Sequence, residues 1–280
     1  MFNQAMSLDP TIAVPMFLIW IVLMIVGILG FIKKRISYKA GIFIYLISAI
    51  VAGFVLGGTP NTVAPIQQIM ASIKAGSPLQ VILPLVIIIL IVLLTSLFVG
   101  RLFCSFACPL GQVQELISKF QFSTTAKKAK DGKRLNLGNT WVKLVRWVFF
   151  GAIIVLFGVW NIAILQLINP FLGFSVFRNP MIFIYSIPTI SLIVIGITSI
   201  FIYRPWCRLL CPFGALSSLA SRGSKLKLRR TEDCTDCGLC EVVCPTAEAS
   251  REANKSECYL CRRCVEVCPQ DAIKFTSKRS

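Results

Sequence analysis

The chain has 280 residues, 56% of them hydrophobic, with a mean hydropathy of +0.76 and a formal net charge of +17. That apolar content lies far above the norm for a soluble domain, so a lipid bilayer is the expected solvent for much of the chain. Twelve cysteines and no histidine tighten the limits further: haem held by histidine, c-type haem attachment and a histidine general base are all excluded.

Five apolar stretches, near residues 11 to 32, 39 to 58, 80 to 100, 144 to 166 and 181 to 203, are long enough to cross a hydrocarbon core. Such a crossing takes about 20 helical residues. The first stretch has no basic region before it and no small-residue cleavage site, and is read as a retained helix rather than a signal peptide. Assigning the intervening segments alternately to the two sides leaves only Lys74 and Arg178 on one of them. The other 27 of the 29 Lys and Arg share the opposite side, which the positive-inside rule names the cytoplasm. The expected protein is multi-pass, with its N-terminus outside and its C-terminus inside.

This topology accounts for the basic balance without nucleic acid as a partner. The run Lys225, Lys227, Arg229 and Arg230 reads as an anchor on anionic membrane lipid. All twelve cysteines fall at or beyond the cytoplasmic helix ends, where disulfides are rare, so metal ligation becomes their leading use.

Four cysteines lie where the third and fifth spans end. The segments TSLFVGRLFCSFACPLG from Thr95 and TSIFIYRPWCRLLCPFG from Thr198 share Thr, Ser, Phe, Arg, both Cys, Pro and Gly at matching positions. Both run from outside to inside, which makes a parallel repeat with a pseudo-two-fold axis along the membrane normal. If the helix continues through CxxxC, the two thiols sit on one face, and the proline then stops the helix at the second cysteine. Cys104, Cys108, Cys207 and Cys211 together would offer four thiolates for a third [4Fe-4S] cluster. A thiol pair that handles copper or cycles through a disulfide, and a structural role, are the other readings. Arg101 and Arg204 precede the two pairs at the same offset, either as cations beside a negatively charged cofactor or as interfacial snorkelling residues.

After the fifth span, Cys234, Cys237, Cys240, Cys244-Pro245 and Cys258, Cys261, Cys264, Cys268-Pro269 each read CxxCxxCxxxCP. In this spacing three thiolates grip one cubane from a tight loop and the fourth cysteine crosses to the other cluster. Cys234, Cys237, Cys240 and Cys268 would hold one [4Fe-4S] cluster, and Cys258, Cys261, Cys264 and Cys244 the other. Zinc knuckles fit less well, because they use separated CxxC pairs. The expected fold is an all-α transmembrane bundle of five helices with an internal parallel repeat, residues 1–222. A small C-terminal α+β bacterial-ferredoxin-like 2[4Fe-4S] module would occupy residues 223–280.

Paired CxxxCP motifs at helix ends, in GRLFCSFACPLG and RPWCRLLCPFG, followed by two ferredoxin motifs, resemble the NapH, MauN and NosR-type membrane polyferredoxin family. The resemblance implies a subunit of the prokaryotic cytoplasmic (inner) membrane that relays electrons between the quinone/quinol pool and a redox partner. That partner would be a flavin, haem or iron–sulfur protein. It also leaves a second reading open, since one branch is linked to copper reduction for oxidase assembly. The segments expected outside, near 59 to 79 and 167 to 180, are too short for a flavin domain. Asn161, Gln166 and Asn169 are the polar candidates for a quinone site, with Glu115 as an alternative on the inner side or simply a solvated helix residue.

Overall fold

The computed structural model describes residues 38–121, 137–160, 164–177 and 182–277, together with Leu18, Val22, Ile25 and Leu29, which are helical and exposed. Otherwise the stretch expected to span at 11 to 32 lies outside the described residues. So do Asn161 and Arg178.

Helix α1 (Tyr38–Ala49) runs on as a π-helical turn, Ile50–Val55. Then follow α2 (Val63–Lys74), α3 (Leu79–Val99), α4 (Pro109–Gln121), α5 (Asn139–Trp160), the short α6 (Ile164–Ile168) and α7 (Pro170–Gly173), α8 (Ile182–Phe201) and α9 (Pro212–Arg222). Two of these, α3 and α5, are long and apolar enough to cross a membrane, and Ile42–Val55 and Ser186–Phe201 are shorter apolar helices. Helix α3 carries no charge in 21 residues, and Val81, Leu83, Ile87, Leu90 and Leu94 stand exposed along it. An apolar helix uncovered on its outer face is one that lipid would solvate.

The two CxxxCP segments have the same local build. Phe103–Ala107 and Trp206–Leu210 are both π-helical, closed by Cys108 N–H to Phe103 O and Cys211 N–H to Trp206 O, each at 2.9 Å. The sequence leads one to expect an α-turn here. The π-turn instead inserts one more residue before the stop that proline imposes. Cys108 and Cys211 are extended, at ψ 119° and 117°, because the following proline disfavours helix there. That proline then opens the next helix, α4 or α9, at a position where its missing N–H costs nothing.

Packing across the repeat is reciprocal. Helix α4, which follows the first CxxxCP, packs on α8, which precedes the second; α9, which follows the second, packs on α3, which precedes the first. Gly111 and Gly214 let each new helix lie close against the π-turn of its own segment. A Cβ there would lie 2.3 Å from Cys104 O and 2.6 Å from Cys207 O, respectively.

The C-terminal part pairs β1 (Lys227–Arg230) with β2 (Ile273–Thr276) in antiparallel register, Lys227 opposite Thr276 and Arg230 opposite Ile273. Short helices α10 (Leu239–Val243) and α11 (Arg263–Val267) follow the two cysteine loops. Leu228 and Ile273 share one apolar cluster with Tyr45 of α1 and Phe106 of the first π-turn, so this part has no separate interior. The basic run does not behave as a free lipid anchor. Lys227 donates to Arg222 O at 2.7 Å and Asn254 O at 2.9 Å, and Arg230 pairs with Asp236 and Glu241. Both sit in β1 and are nearly buried, leaving Lys225 and Arg229 for any lipid contact.

Gly111→Ala and Gly214→Ala should each cost about 1–3 kcal/mol through backbone overpacking. Gly151→Ala, where an added Cβ meets nothing within 4 Å, should leave stability unchanged or slightly raised. Thermal melts in detergent, read by loss of cluster absorbance, check the contrast.

Candidate iron–sulfur site and its buried charge network

The loops of the C-terminal part bend through left-handed backbone at matching positions. Asp236 and Leu260 have φ near +50°, Gly238 and Arg262 near +70°, and Ala247 and Asp271 near +50°. Gly238 takes this conformation without cost, whereas Arg262 takes it with a Cβ. The result gathers the thiols in two places. Cys234, Cys237, Cys240 and Cys268 line one cavity. Cys244, Cys258, Cys261 and Cys264 line the other. The fourth cysteine of each motif lies with the first three of the other motif, because pairing of β1 with β2 folds the ends of this part together. Glu248 N–H donates to Cys244 Sγ and Ala272 N–H to Cys268 Sγ, both at 3.3 Å.

Cys104, Cys108, Cys207 and Cys211 are free thiols, exposed by 5–7%, in a single apolar cluster with Trp206, Tyr203 and Tyr259. Gln114 Nε2 reaches Cys207 Sγ at 3.6 Å, and Gly214 N–H reaches Cys211 Sγ at 3.4 Å. Burial pushes all four thiols up, Cys207 to about 11, with Arg101 and Arg204 pulling Cys104 and Cys207 the other way. Burial likewise lifts Cys258 to about 12. Such thiols become stable thiolates when a metal supplies the compensating charge.

Arg101 and Arg204 are not snorkelling cations, for both are 0% exposed. Each reaches across to the other repeat. Arg204 Nη1 donates to Cys104 O at 2.7 Å. Arg101 Nη1 donates to the Tyr259 hydroxyl, which itself donates to Cys207 O at 3.3 Å. Both guanidinium groups lie over the Tyr259 ring, at 4.6 and 4.9 Å from its centre. Ser105 donates to Tyr259 O, so this tyrosine, between two cysteines of the second ferredoxin motif, touches both membrane-side cysteine segments.

Two buried carboxylates complete the network. Glu257 pairs with Arg101 at 2.9 Å and Arg146 at 2.7 Å, and accepts from Ser218 at 2.6 Å. Glu115 pairs with Arg204 at 3.1 Å and Arg263 at 3.0 Å, and accepts from Tyr203 at 2.6 Å. Burial alone would raise these carboxyls. Arg101 and Arg146 instead hold Glu257 at about 2, and Arg263 and Arg204 hold Glu115 below the usual carboxylate range. Their contribution to stability is therefore full above the ordinary Glu pKa and declines as pH falls through and below it. Glu115, a residue that the sequence leaves open as a solvated helix position, is 0% exposed.

Of the expected quinone-site residues, Asn169 is buried, with its side chain capping α7 and touching Gln67, while Gln166 lines a separate cavity beside Gln67. Sequence reasoning misses Arg146, Tyr259, Glu257 and Arg263. Only the charge of Glu257 next to Cys258 and the doublet Arg262-Arg263 hint at them, and neither names its partner. Among the described residues no three His, Cys, Asp or Glu side chains gather tightly enough for a single metal ion. A cubane asks for something wider, one thiolate on each of four irons, and four free thiols around each cavity suit it.

A 4Fe-4S binding domain family matches residues 81–127 and again 183–231, covering both CxxxCP segments, and another 4Fe-4S binding domain family matches residues 252–274. The chain is similar to YccM of Escherichia coli (strain K12), provisionally named an electron transport protein, at 30% identity over 74% of this chain and 59% of that one. It therefore spans less than two thirds of YccM. It is 30% identical to MJ0750 of Methanocaldococcus jannaschii, of unassigned function, over 73% of this chain and 82% of that one. The ferredoxin-type protein NapH of E. coli is 26% identical over 69% of this chain and 67% of its own. No solved structure matches the chain. Repeated 4Fe-4S matches on a helical scaffold with cysteine-lined cavities define an iron–sulfur electron-transfer protein of ferredoxin type. The chain belongs to the NapH/MauN-type polyferredoxin family.

Glu257→Gln strips Arg101 and Arg146 of their counter-charge in a dry site and should destabilise the protein by about 3–5 kcal/mol. Asp236→Asn, at a carboxylate 58% exposed, should leave the melting temperature nearly unmoved. Parallel thermal melts of the two variants separate these outcomes.

Proposed function

We propose that this protein is a membrane-bound iron–sulfur relay that moves electrons between the quinone/quinol pool and a redox partner complex through three [4Fe-4S] sites. The first would be held by Cys104, Cys108, Cys207 and Cys211, the second by Cys244, Cys258, Cys261 and Cys264, and the third by Cys234, Cys237, Cys240 and Cys268. A cluster so held supplies a one-electron store whose potential follows its surroundings. Helices α3 and α5, the shorter apolar helices and the expected first span would form the multi-pass anchor, with the cysteines on the cytoplasmic side.

The observation that carries this reading is the charge balance around the four membrane-side thiols. Arg101, Arg146, Arg204 and Arg263 share only two buried carboxylates, Glu115 and Glu257. That leaves an excess of two positive charges, while the buried Arg208 and the buried Glu248, joined through Asn139, offset one another. An oxidised [4Fe-4S] core with four thiolates is a dianion, so the site is built to accept what those thiols would hold. Tyr259 supports the order of the relay, since it lies between Cys258 and Cys261 while its hydroxyl reaches Cys207 O. Cys237 is the exposed cysteine, which supports the 234–268 set as the site facing a soluble partner. A flavin, haem or iron–sulfur subunit would take or supply the electrons there.

A thiol exchange or copper-handling role is the weaker reading. Reactive cysteines need access, and these four are sealed at 5–7% exposure.

Iron and acid-labile sulfide analysis with Mössbauer spectroscopy should find about twelve irons per chain, falling to about eight in Cys104→Ser. Eight in the unaltered protein would exclude the membrane-side cluster. Quinol added to the intact complex should bring up reduced-cluster EPR signals, and silence there would remove the quinone pool from the assignment.

A further inference from the structure

Helix α4 turns a buried amide toward the second cysteine segment. Gln114, 0% exposed, stands on the helix that follows the first CxxxCP, and its Nε2 donates to the sulfur of Cys207, the first cysteine of the other segment, at 3.6 Å. The same nitrogen donates to Leu110 O, one turn back on α4, at 3.2 Å, and Oε1 accepts from Trp206 N–H at 3.2 Å. Two hydrogens and one oxygen therefore meet two acceptors and one donor.

This leaves the amide a single orientation. Turned over, it would set its NH2 group against the Trp206 N–H and its oxygen against both Leu110 O and the sulfur. Two backbone groups thus decide that a hydrogen, and not a lone pair, faces Cys207. Trp206 immediately precedes Cys207 and opens the second π-turn, so the residue that fixes the amide also carries the thiol it serves. The matching position of the second repeat, 103 residues on, is Ser217, so this amide has no copy there. Gly214 N–H to Cys211 Sγ, Glu248 N–H to Cys244 Sγ and Ala272 N–H to Cys268 Sγ are backbone donors that come with their turns. Gln114 is a side chain, and a helix forms about as readily with Met or Leu in its place.

Reduction adds one negative charge to a four-thiolate site, and a hydrogen bond to a ligand sulfur stabilises the more negative form more strongly. We propose that Gln114 raises the reduction potential of the membrane-side site by donating to the sulfur of Cys207. The inference rests on the three-site reading above and adds to it the residue that makes this site easier to reduce. Gln114 acts through Cys207 and is a positioning residue, not a ligand. One electron enters the site, and no bond forms or breaks at the amide.

The test is an EPR-monitored redox titration of the full-length, cluster-loaded protein in detergent, in which the membrane-side wave is the one that Cys104→Ser removes. Gln114→Met keeps the length and helix propensity of the side chain and removes the donor. It should shift that wave about tenfold toward the oxidised form, about 59 mV lower for one electron, with iron content unchanged. Gln112→Met removes another buried amide of α4, one that donates to Phe106 O in the first π-turn and not to sulfur, and should leave the wave in place. An unmoved wave in Gln114→Met would overturn the proposal. So would an equal shift in both variants, which would trace the change to a loosened turn. Pulsed EPR of the unaltered, reduced protein, grown on glutamine carrying nitrogen-15 at the side-chain amide, decides the matter even where Gln114→Met fails to load its iron. A nitrogen-15 coupling on the membrane-side signal supports the donor, and its absence overturns it. If the unaltered protein holds about eight irons and Cys104→Ser removes no wave, the three-site reading itself falls, and this inference with it.

Discussion

The arrangement of the cysteine sites depends on a carboxylate that has no access to water. Glu257 sits between Arg101 and Arg146 and immediately precedes the first cysteine of the second ferredoxin motif. In a dry environment such a charge is tolerable only while both partners hold it, so the motif cannot drift from the helical part without exposing three unpaired charges to a low dielectric. Glu115 does the same from the opposite direction, tying Arg204 of the second repeat and Arg263 of the ferredoxin motif to α4. A small module with little interior of its own is held in place by ion pairs that span the junction.

The duplicated segments gain their meaning from exchange. Each CxxxCP leads into a helix that packs on the span preceding the other one, and each repeat's arginine reaches toward the other repeat's cysteine segment. One copy alone would leave α4 or α9 without one of the spans it packs on and would offer two thiols rather than four. The glycine two residues after each proline serves the turn itself, since only the lack of a Cβ lets the new helix approach the carbonyl of the first cysteine in its own segment.

Charge also bears on how a cation-rich, mostly apolar chain can suit anionic iron–sulfur clusters. The buried guanidinium groups lie between the CxxxCP thiols and the second ferredoxin motif, where burial otherwise opposes thiolate formation. The exposed carboxylates among the described residues, Glu232, Asp233, Asp236, Glu241, Glu252, Glu266 and Asp271, all lie in the ferredoxin part. The potential of an iron–sulfur cluster follows such fixed charges and the hydrogen bonds to its sulfurs as well as the type of cluster.

Residue spacing alone determined the family, the two ferredoxin motifs, the paired CxxxCP segments and the stretches that form α1, α3, α5 and α8. These are local properties: a thiolate ring around a small core needs cysteines close in sequence, and an apolar helix declares itself by composition. Contacts between distant segments were not legible. Arg101 and Arg204 stood out by their repetition, yet nothing along the chain paired them with Glu257 and Glu115, more than eighty residues away in each case. Nothing in the sequence marks Tyr259 or Gln114. Only tertiary structure could decide their roles, because burial turns a surface charge into a structural requirement and an ordinary amide into a fixed donor.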